Sequence, residues 1–259
     1  MTAGAPEPTG RFGALADAYA RGRPPYPASL AVALRHHGLL AAGASVVDMG
    51  CGTGLSCLPF LQAGHAVIGV EPNAPMRAQA ARLAQHWPLL QVRDGRAEDT
   101  GLAAESADLY VCGQAFHWFE PGAARAEALR FLRRPARAAL LWNDRVAQGS
   151  AFAEGYEALL RQHSPDYLEV RHRHDRPDQV GAFFGHARWD SLVLEHDTHL
   201  DLATLRDRLV SASYVPPLGD PRHAPMLADL ERLFAATAQD GSVVMAYETR
   251  VLFGELALA

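Results

Sequence analysis

Apolar residues along this chain keep two rhythms in alternation. Short, mainly apolar runs at 45–49, 65–70, 107–112 and 138–142 read as strands buried on both faces. Between and around them, apolar residues recur three and four positions apart, the spacing of helices with one buried side. That spacing predicts helices over 28–40, 55–62, 74–87, 121–133, 150–163, 201–210 and 224–238, with further strands at 89–93, 191–196 and 242–253. A shorter helix is expected at 12–19, closed off by Pro24-Pro25-Tyr26-Pro27. The alternation lapses between Asp144 and Leu192, which sets the expected organisation. A lid and first helix span 1–40, a ligand-binding α/β core 41–143, a substrate-side insertion 144–190, and the strands and helices that complete the sheet 191–259.

The first strand breaks into Val46-Val47-Asp48-Met49-Gly50-Cys51-Gly52-Thr53-Gly54-Leu55. Alternate glycines let a ligand lie against bare backbone. The dinucleotide fingerprint requires a glycine where Leu55 stands, and a P-loop requires a lysine, which this chain lacks altogether. Asp48 would repel a pyrophosphate and hold a cationic group. The expected ligand is therefore phosphate-free and positively charged. Glu71 ends the second strand about twenty residues further on, where Rossmann-like sheets grip ribose hydroxyls.

This run resembles the first motif of the class I S-adenosylmethionine-dependent methyltransferases. The resemblance implies S-adenosylmethionine as cofactor, with Gly50, Cys51, Gly52, Thr53 and Gly54 wrapping its methionine part and Asp48 facing its amino group. It implies a doubly wound, mostly parallel, seven-stranded α/β sheet whose antiparallel seventh strand is 243–252. It also places Asn73 and Met76 on the adenosine side, Asn73 doubling as helix cap and Met76 equally suited to the core. In Gly95-Arg96-Ala97-Glu98, Ala97 and Glu98 would read the adenine edge, the alternative being an ordinary acidic turn. The segment Tyr19-x3-Arg23-Pro24-x-Tyr26-Pro27 resembles trans-aconitate methyltransferase-like enzymes, which makes Tyr19 and Arg23 candidates for the cofactor carboxylate and for closing the pocket. The same subgroup is matched by Gln114-Ala115-Phe116-His117-Trp118 and by Ser211-x-Ser213-Tyr214. Gln114 becomes a cofactor contact, and His117, Trp118, Asn143 and Tyr214 become candidates on the acceptor side. His117 could serve as proton acceptor or simply pack, and Tyr214 could touch the acceptor or lie under the Pro216-Pro217 turn. Arg23 or Arg145 would hold an acceptor carboxylate. Where that family has Leu-Arg-Pro-Gly-Gly, residues 132–137 lack the glycines, which puts the local turn in question.

Composition narrows the acceptor. A formal charge of −5 disfavours a nucleic-acid groove. Cys51, Cys57 and Cys112 have no metal-ligand spacing, and three unpaired thiols suit a reducing cytoplasm. The Arg/His run at 171–178 would repel a cation and is expected to be a solvated loop, and His196 and His199 are expected at a strand end. No metal site is anticipated. No apolar run is long enough to cross a bilayer and the first ten residues carry no signal pattern, so neither membrane anchoring nor secretion is expected. The expected function is methyl transfer from S-adenosylmethionine to a small-molecule acceptor, a carboxylate or another oxygen nucleophile among the options. The alternatives are a non-catalytic binder of the same cofactor, an RNA or protein methyltransferase, and, less well supported by Leu55 and Asp48, an oxidoreductase.

Overall fold

Runs rich in valine and leucine become strands here because their side chains fill both faces of a pleat at once. The computed structural model describes residues 22–165, 167, 176–212 and 214–258, and within them seven strands make one sheet. They are β1 (Val46–Met49), β2 (Val67–Val70), β3 (Leu90–Arg93), β4 (Ala107–Gly113), β5 (Leu132–Arg145), β6 (Asp190–Leu200) and β7 (Val243–Glu255). Across the sheet they run β3-β2-β1-β4-β5-β7-β6. The first five pair in parallel, and β7 lies antiparallel to both β5 and β6. The winding reverses between β1 and β4, the crevice where open α/β sheets hold their ligands.

The helices are α1 (Ser29–His36), α2 (Leu58–Gln62), α3 (Ala74–Ala84), α4 (Pro121–Phe131), α5 (Ala151–His163), α6 (Pro177–Phe184), α7 (Leu202–Val210) and α8 (His223–Thr237). Strand side chains alternate between two cores. Val46, Leu109, Val111 and Leu141 pack with α1, α2 and α3, while Val47, Tyr110, Cys112 and Leu140 pack with α4 and α6. A third core gathers Phe152, Tyr156 and Leu160 of α5, Leu205 and Leu209 of α7, Met226 and Leu230 of α8, and Met245 and Tyr247 of β7. The β6–β7 ladder continues past the Arg145–Tyr247 pair at which β5 stops, so this third core lies beyond the C-terminal ends of the parallel strands.

Several expectations shift. The expected helix 28–40 stops at His36, where Gly38 turns left-handed (φ +75°) and Leu39 and Leu40 enter the core from a loop. The glycine-poor stretch 132–137 makes no turn, because β5 starts directly at the end of α4. His199 falls at the end of a strand, β6, which extends to Leu200, whereas His196 lies within it, paired with Tyr247. The insertion 144–190 does not act as one roof. α5 joins the third core, but α6 inserts Phe183 against Tyr110 and Phe116 on a sheet face, with ring centroids 5.0 and 5.3 Å apart. The apolar face of α6 is drawn there because Tyr110 would otherwise meet water. The helix expected at 12–19, with Tyr19, the residues 171–175 of the Arg/His run, and Ser213 lie outside the described residues.

Tyr110 is fully buried, and its hydroxyl has no partner among the described residues. A buried unsatisfied hydroxyl costs about 1–3 kcal/mol. Tyr110→Phe is therefore expected to raise unfolding stability by about 1 kcal/mol, read as a higher urea midpoint at unchanged slope. A lowered midpoint would show that the oxygen is stabilising.

Candidate functional site

The end of β1 delivers Asp48 to the switch point with its side chain wholly buried. One oxygen, Oδ2, accepts from Ser56 Oγ at 2.5 Å and from Cys57 Sγ at 3.1 Å. The other, Oδ1, is buried with no partner among the described residues. Burial pushes the Asp48 carboxyl from 3.8 up to about 6, against the pull of Ser56 and Cys57. Such a group is unsatisfied until something cationic or hydrogen-donating meets Oδ1.

The glycine turn that follows has left-handed backbone at Gly50, Gly52 and Gly54 (φ +66°, +56° and +90°). Two of these positions show different needs. A Cβ on Gly50 would sit 2.7 Å from the Ala115 Cβ, so this glycine lets the β4 loop close in. A Cβ on Gly52 would meet nothing within 4 Å among the described residues, so that stretch of backbone is open to a ligand. Beside it, Thr53 Oγ1 is buried and has no partner among the described residues, and the buried Cys51 Sγ sits against Gly69 of β2.

Glu71 at the end of β2 faces the same turn. Its Oε2 accepts from the Gly52 N–H at 2.9 Å and its Oε1 from the Asn73 N–H at 2.8 Å. Burial is the leading influence on this carboxyl and raises its pKa, while the two N–H groups oppose it. A carboxylate oxygen can accept about two hydrogen bonds, so each oxygen keeps room for a hydroxyl donor. Asn73 caps α3 by accepting from the Met76 N–H at 3.0 Å, as expected, and Met76 is buried.

The remaining candidates divide. Ala97 is buried in the core shared with α4. Glu98, beside it in a tight turn closed by Arg96 and Asp99, accepts the Glu120 N–H at 2.9 Å and so helps fix the start of α4. Gln114 is held left-handed at φ +58°, a conformation few side-chain-bearing residues adopt, and donates Nε2 to the Asn143 carbonyl at 3.0 Å. Asn143 is a clamp: its Nδ2 donates to the Pro25 carbonyl at 3.0 Å and its Oδ1 accepts from Thr249 at 3.0 Å. His117 leans on a half-exposed Trp118 ring, centroids 4.6 Å apart. Tyr214 packs on Tyr167 in the third core, centroids 5.1 Å apart. Arg145 ion-pairs with Glu157 at 2.6 Å, so its charge is already matched.

Two participants were not singled out from sequence. Ser56, eight residues past Asp48, orders its carboxylate. Tyr26 brings its hydroxyl so close to the β4 tip that a Cβ on Gly113 would lie 2.7 Å from it and 2.9 Å from Ser56 Cβ. The proline-rich frame around Tyr26 was the available signal, since prolines stiffen a chain that must lie across a site. Together, the orphaned Asp48 and Thr53 oxygens, the bare Gly52 backbone and the receptive Glu71 fit a phosphate-free nucleoside with a positive end, as S-adenosylmethionine is. Among the described residues no helix is long and apolar enough to cross a membrane, and no three His, Cys, Asp or Glu side chains are grouped to hold a metal.

Comparison with known proteins agrees with this geometry. A family profile described as a methyltransferase domain matches residues 47–140, which run from β1 into β5. An uncharacterized methyltransferase of Mycobacterium bovis is 33% identical over 204 residues, covering 78% of this chain and 76% of that protein. One from Mycobacterium tuberculosis matches at 33% identity over 204 residues and the same shares. A structure from Anaeromyxobacter dehalogenans, assigned to the type II methyltransferases, superposes with a TM-score of 0.66 at 23% identity, over 92% of this chain and 99% of that one.

The Asp48 carboxyl gives a pH test. Its pKa is raised on folding, so its ionisation penalty is absent below 3.8, grows between 3.8 and about 6, and is complete above that. The full penalty is about 3 kcal/mol. Asp48→Asn should be more stable than the parent at pH 8 by an amount of that order, and the gain should vanish at pH 4. Equal urea midpoints for the two proteins at pH 8 would refute it.

Proposed function

Since this chain belongs to the class I S-adenosylmethionine-dependent methyltransferases, we propose that it methylates an oxygen nucleophile on a small-molecule acceptor, a carboxylate being the favoured case. The observation that supports this most is the pair of buried carboxylates, Asp48 and Glu71, on neighbouring strand tips with the open Gly52 backbone between them. S-adenosylmethionine, when bound, supplies a methyl group on a sulfonium for in-line attack by the acceptor. Asp48 holds the cationic end through Oδ1, with Ser56 and Cys57 keeping the carboxylate in place. Glu71 takes the ribose hydroxyls while the Gly52 and Asn73 N–H groups fix its direction.

Residues 22–27 form a strap across the strand tips. The Pro25 carbonyl accepts from Asn143 of β5 at 3.0 Å and lies 3.1 Å from His196 Nε2 of β6, which pins the strap down. Tyr26 then lies close beside Gly113, which supports a small acceptor over a large one. Arg23, at the start of the strap, is the described candidate for the cofactor carboxylate. Aligning the reactants supplies about 7–11 kcal/mol of the barrier, so a carboxylate acceptor needs no base. For a hydroxyl acceptor, His117 is the candidate proton acceptor. The likeness of 23–27 and 114–118 to trans-aconitate methyltransferase-like enzymes supports the acid. The three buried free thiols support a cytoplasmic location.

The deciding experiment is incubation with methyl-labelled cofactor and a fractionated extract of the source organism. Label should enter the small-molecule fraction; label confined to RNA or protein, or none transferred, would reject the proposal. Separately, Glu71→Ala removes a charged acceptor with a net value of about 1.5–3 kcal/mol. It should weaken adenosylhomocysteine binding by about 10- to 100-fold in a calorimetric titration.

A further inference from the structure

The glycine turn carries two thiols whose chemistry methyl transfer does not use. Cys51 lies in the turn and Cys57 just before α2, and their side chains meet over Gly69 of β2, where a Cβ would lie 2.7 Å from Cys51 Sγ and 3.8 Å from Cys57 Sγ. A glycine inside a strand gives up packing and marks a close approach. Here the approach is that of the two sulfurs. A double turn brings them together: the Gly54 N–H donates to the Cys51 carbonyl at 2.8 Å, and the Cys57 N–H donates to the Gly54 carbonyl at 3.1 Å. Cys112, the third thiol, packs in the other core of the sheet.

The two thiols are not equivalent. Cys57 is sealed from solvent, and its S–H donates to Asp48 Oδ2 at 3.1 Å. Cys51 is 4% exposed and directly precedes the open Gly52 backbone, so a small solute entering the cradle meets it first. A hydrogen bond between the thiols draws the Cys51 pKa down and the Cys57 pKa up, while burial raises both; Cys51 ends above its ordinary value and Cys57 well above. Both are therefore protonated at neutral pH, which makes them slow towards oxidants and keeps them as thiols in a reducing compartment. Cys51 is the more acidic of the two and the first to react.

We propose that Cys51 and Cys57 form a reversible disulfide, with hydrogen peroxide as oxidant, that switches the cofactor cradle off. This rests on the reading of the cradle as the cofactor site and concerns its regulation. The Cys51 thiolate attacks one peroxide oxygen, giving a sulfenic acid and releasing hydroxide, which takes up the proton that Cys51 lost and becomes water. The Cys57 sulfur then displaces the sulfenic hydroxyl, which leaves with the Cys57 proton as a second water. Two S–H bonds and one O–O bond are broken, and one S–S and two O–H bonds are made; the thiol pair loses two electrons and the peroxide gains them. A dithiol reverses the step by exchange. A disulfide sulfur carries no hydrogen, so Asp48 Oδ2 keeps only Ser56, and Oδ1 already lacks a partner among the described residues. A buried carboxylate stripped of a donor is disfavoured as an anion, and its hold on a cationic ligand weakens accordingly.

The test treats the full-length protein with hydrogen peroxide, alkylates it in urea without reduction and digests it with trypsin, which cuts this lysine-free chain only after arginine. Cys51 and Cys57 then share the peptide 36–77, and Cys112 falls in 97–125. Peptide 36–77 should escape alkylation and be lighter by two hydrogen atoms, while 97–125 is alkylated as before. Calorimetric titration of the treated protein should show adenosylhomocysteine binding weakened by about 10- to 100-fold, and dithiothreitol should restore it to within about threefold. Adenosylhomocysteine added beforehand at about ten times its Kd should slow disulfide formation about tenfold by occupying the cradle. Cys51→Ala, judged against its own untreated affinity, should change by less than about threefold on treatment; should it fail to fold, Cys51→Ser serves the same purpose. Cys112→Ala should respond as the parent does. The proposal is overturned if both thiols stay open to alkylation, if either pairs with Cys112 or with a second chain, or if the disulfide forms without loss of affinity. It is equally overturned if dithiothreitol does not restore binding, if the ligand gives no protection, or if Cys51→Ala loses affinity as the parent does. If adenosylhomocysteine does not bind even the untreated parent, it is the methyl-transfer reading that has failed, and the mass of peptide 36–77 alone decides the thiol pair.

Discussion

Two carboxylates at adjacent strand tips, both largely removed from water, set the terms for everything around them. Burial raises the cost of ionising both Asp48 and Glu71, and the Glu71 charge adds to that cost at Asp48. Such a pair stays charged only if donors are aimed at it. The glycine turn supplies part of what is needed: the Gly52 N–H points at Glu71 because left-handed backbone on either side turns the amide towards β2. Ser56 and Cys57 do the same for Asp48 from the first turn after the loop. What remains unmet is one buried oxygen of Asp48. In the proposed reading that residual demand is met by the cationic end of the cofactor, and a phosphate-bearing nucleotide would leave it unmet.

The sheet and the roof answer to different forces. The parallel strands are fixed by period-two packing between two apolar cores, so the tips that carry Asp48, Glu71 and Gln114 stand on a rigid base. The strap is fixed instead by polar contacts to two of its carbonyls, Pro25 meeting Asn143 and His196 and Gly22 meeting Arg208. Asn143 sits at the junction, since its side chain reaches the strap and β7 while its backbone carbonyl takes Gln114. A residue at a strand tip facing a pocket suggests ligand contact. Here the geometry gives Asn143 the prior job of joining the two layers, on which enclosure of the site depends.

What sequence could disclose follows from how local each feature is. Asp48, the glycines and Glu71 were legible because strand tips and the turn after them are read from a few consecutive residues, and parallel pairing then brings those tips together. The Asn73 cap was legible for the same reason. The destination of α6 was not, because its apolar face fits either a roof or a sheet, and only the Tyr110 side of β4, which α6 covers, decides between them. Tyr26 reaches Gly113 across 87 positions of chain, and Arg208 meets Gly22 across 186. No periodicity encodes such separations.

Arg145 and Arg208 make the same point energetically. From sequence, Arg145 was, with Arg23, a candidate for an acceptor acid, and Arg208 was not singled out. Glu157 and Arg145 are brought together by α5 packing over the end of β5, and an arginine so matched has little to gain from a second carboxylate. Arg208 is on a helix with no motif around it, and α7 buries its head where the described chain offers only a carbonyl and a phenol. Whether a desolvated arginine meets an acid or only neutral acceptors is a property of the packed state alone.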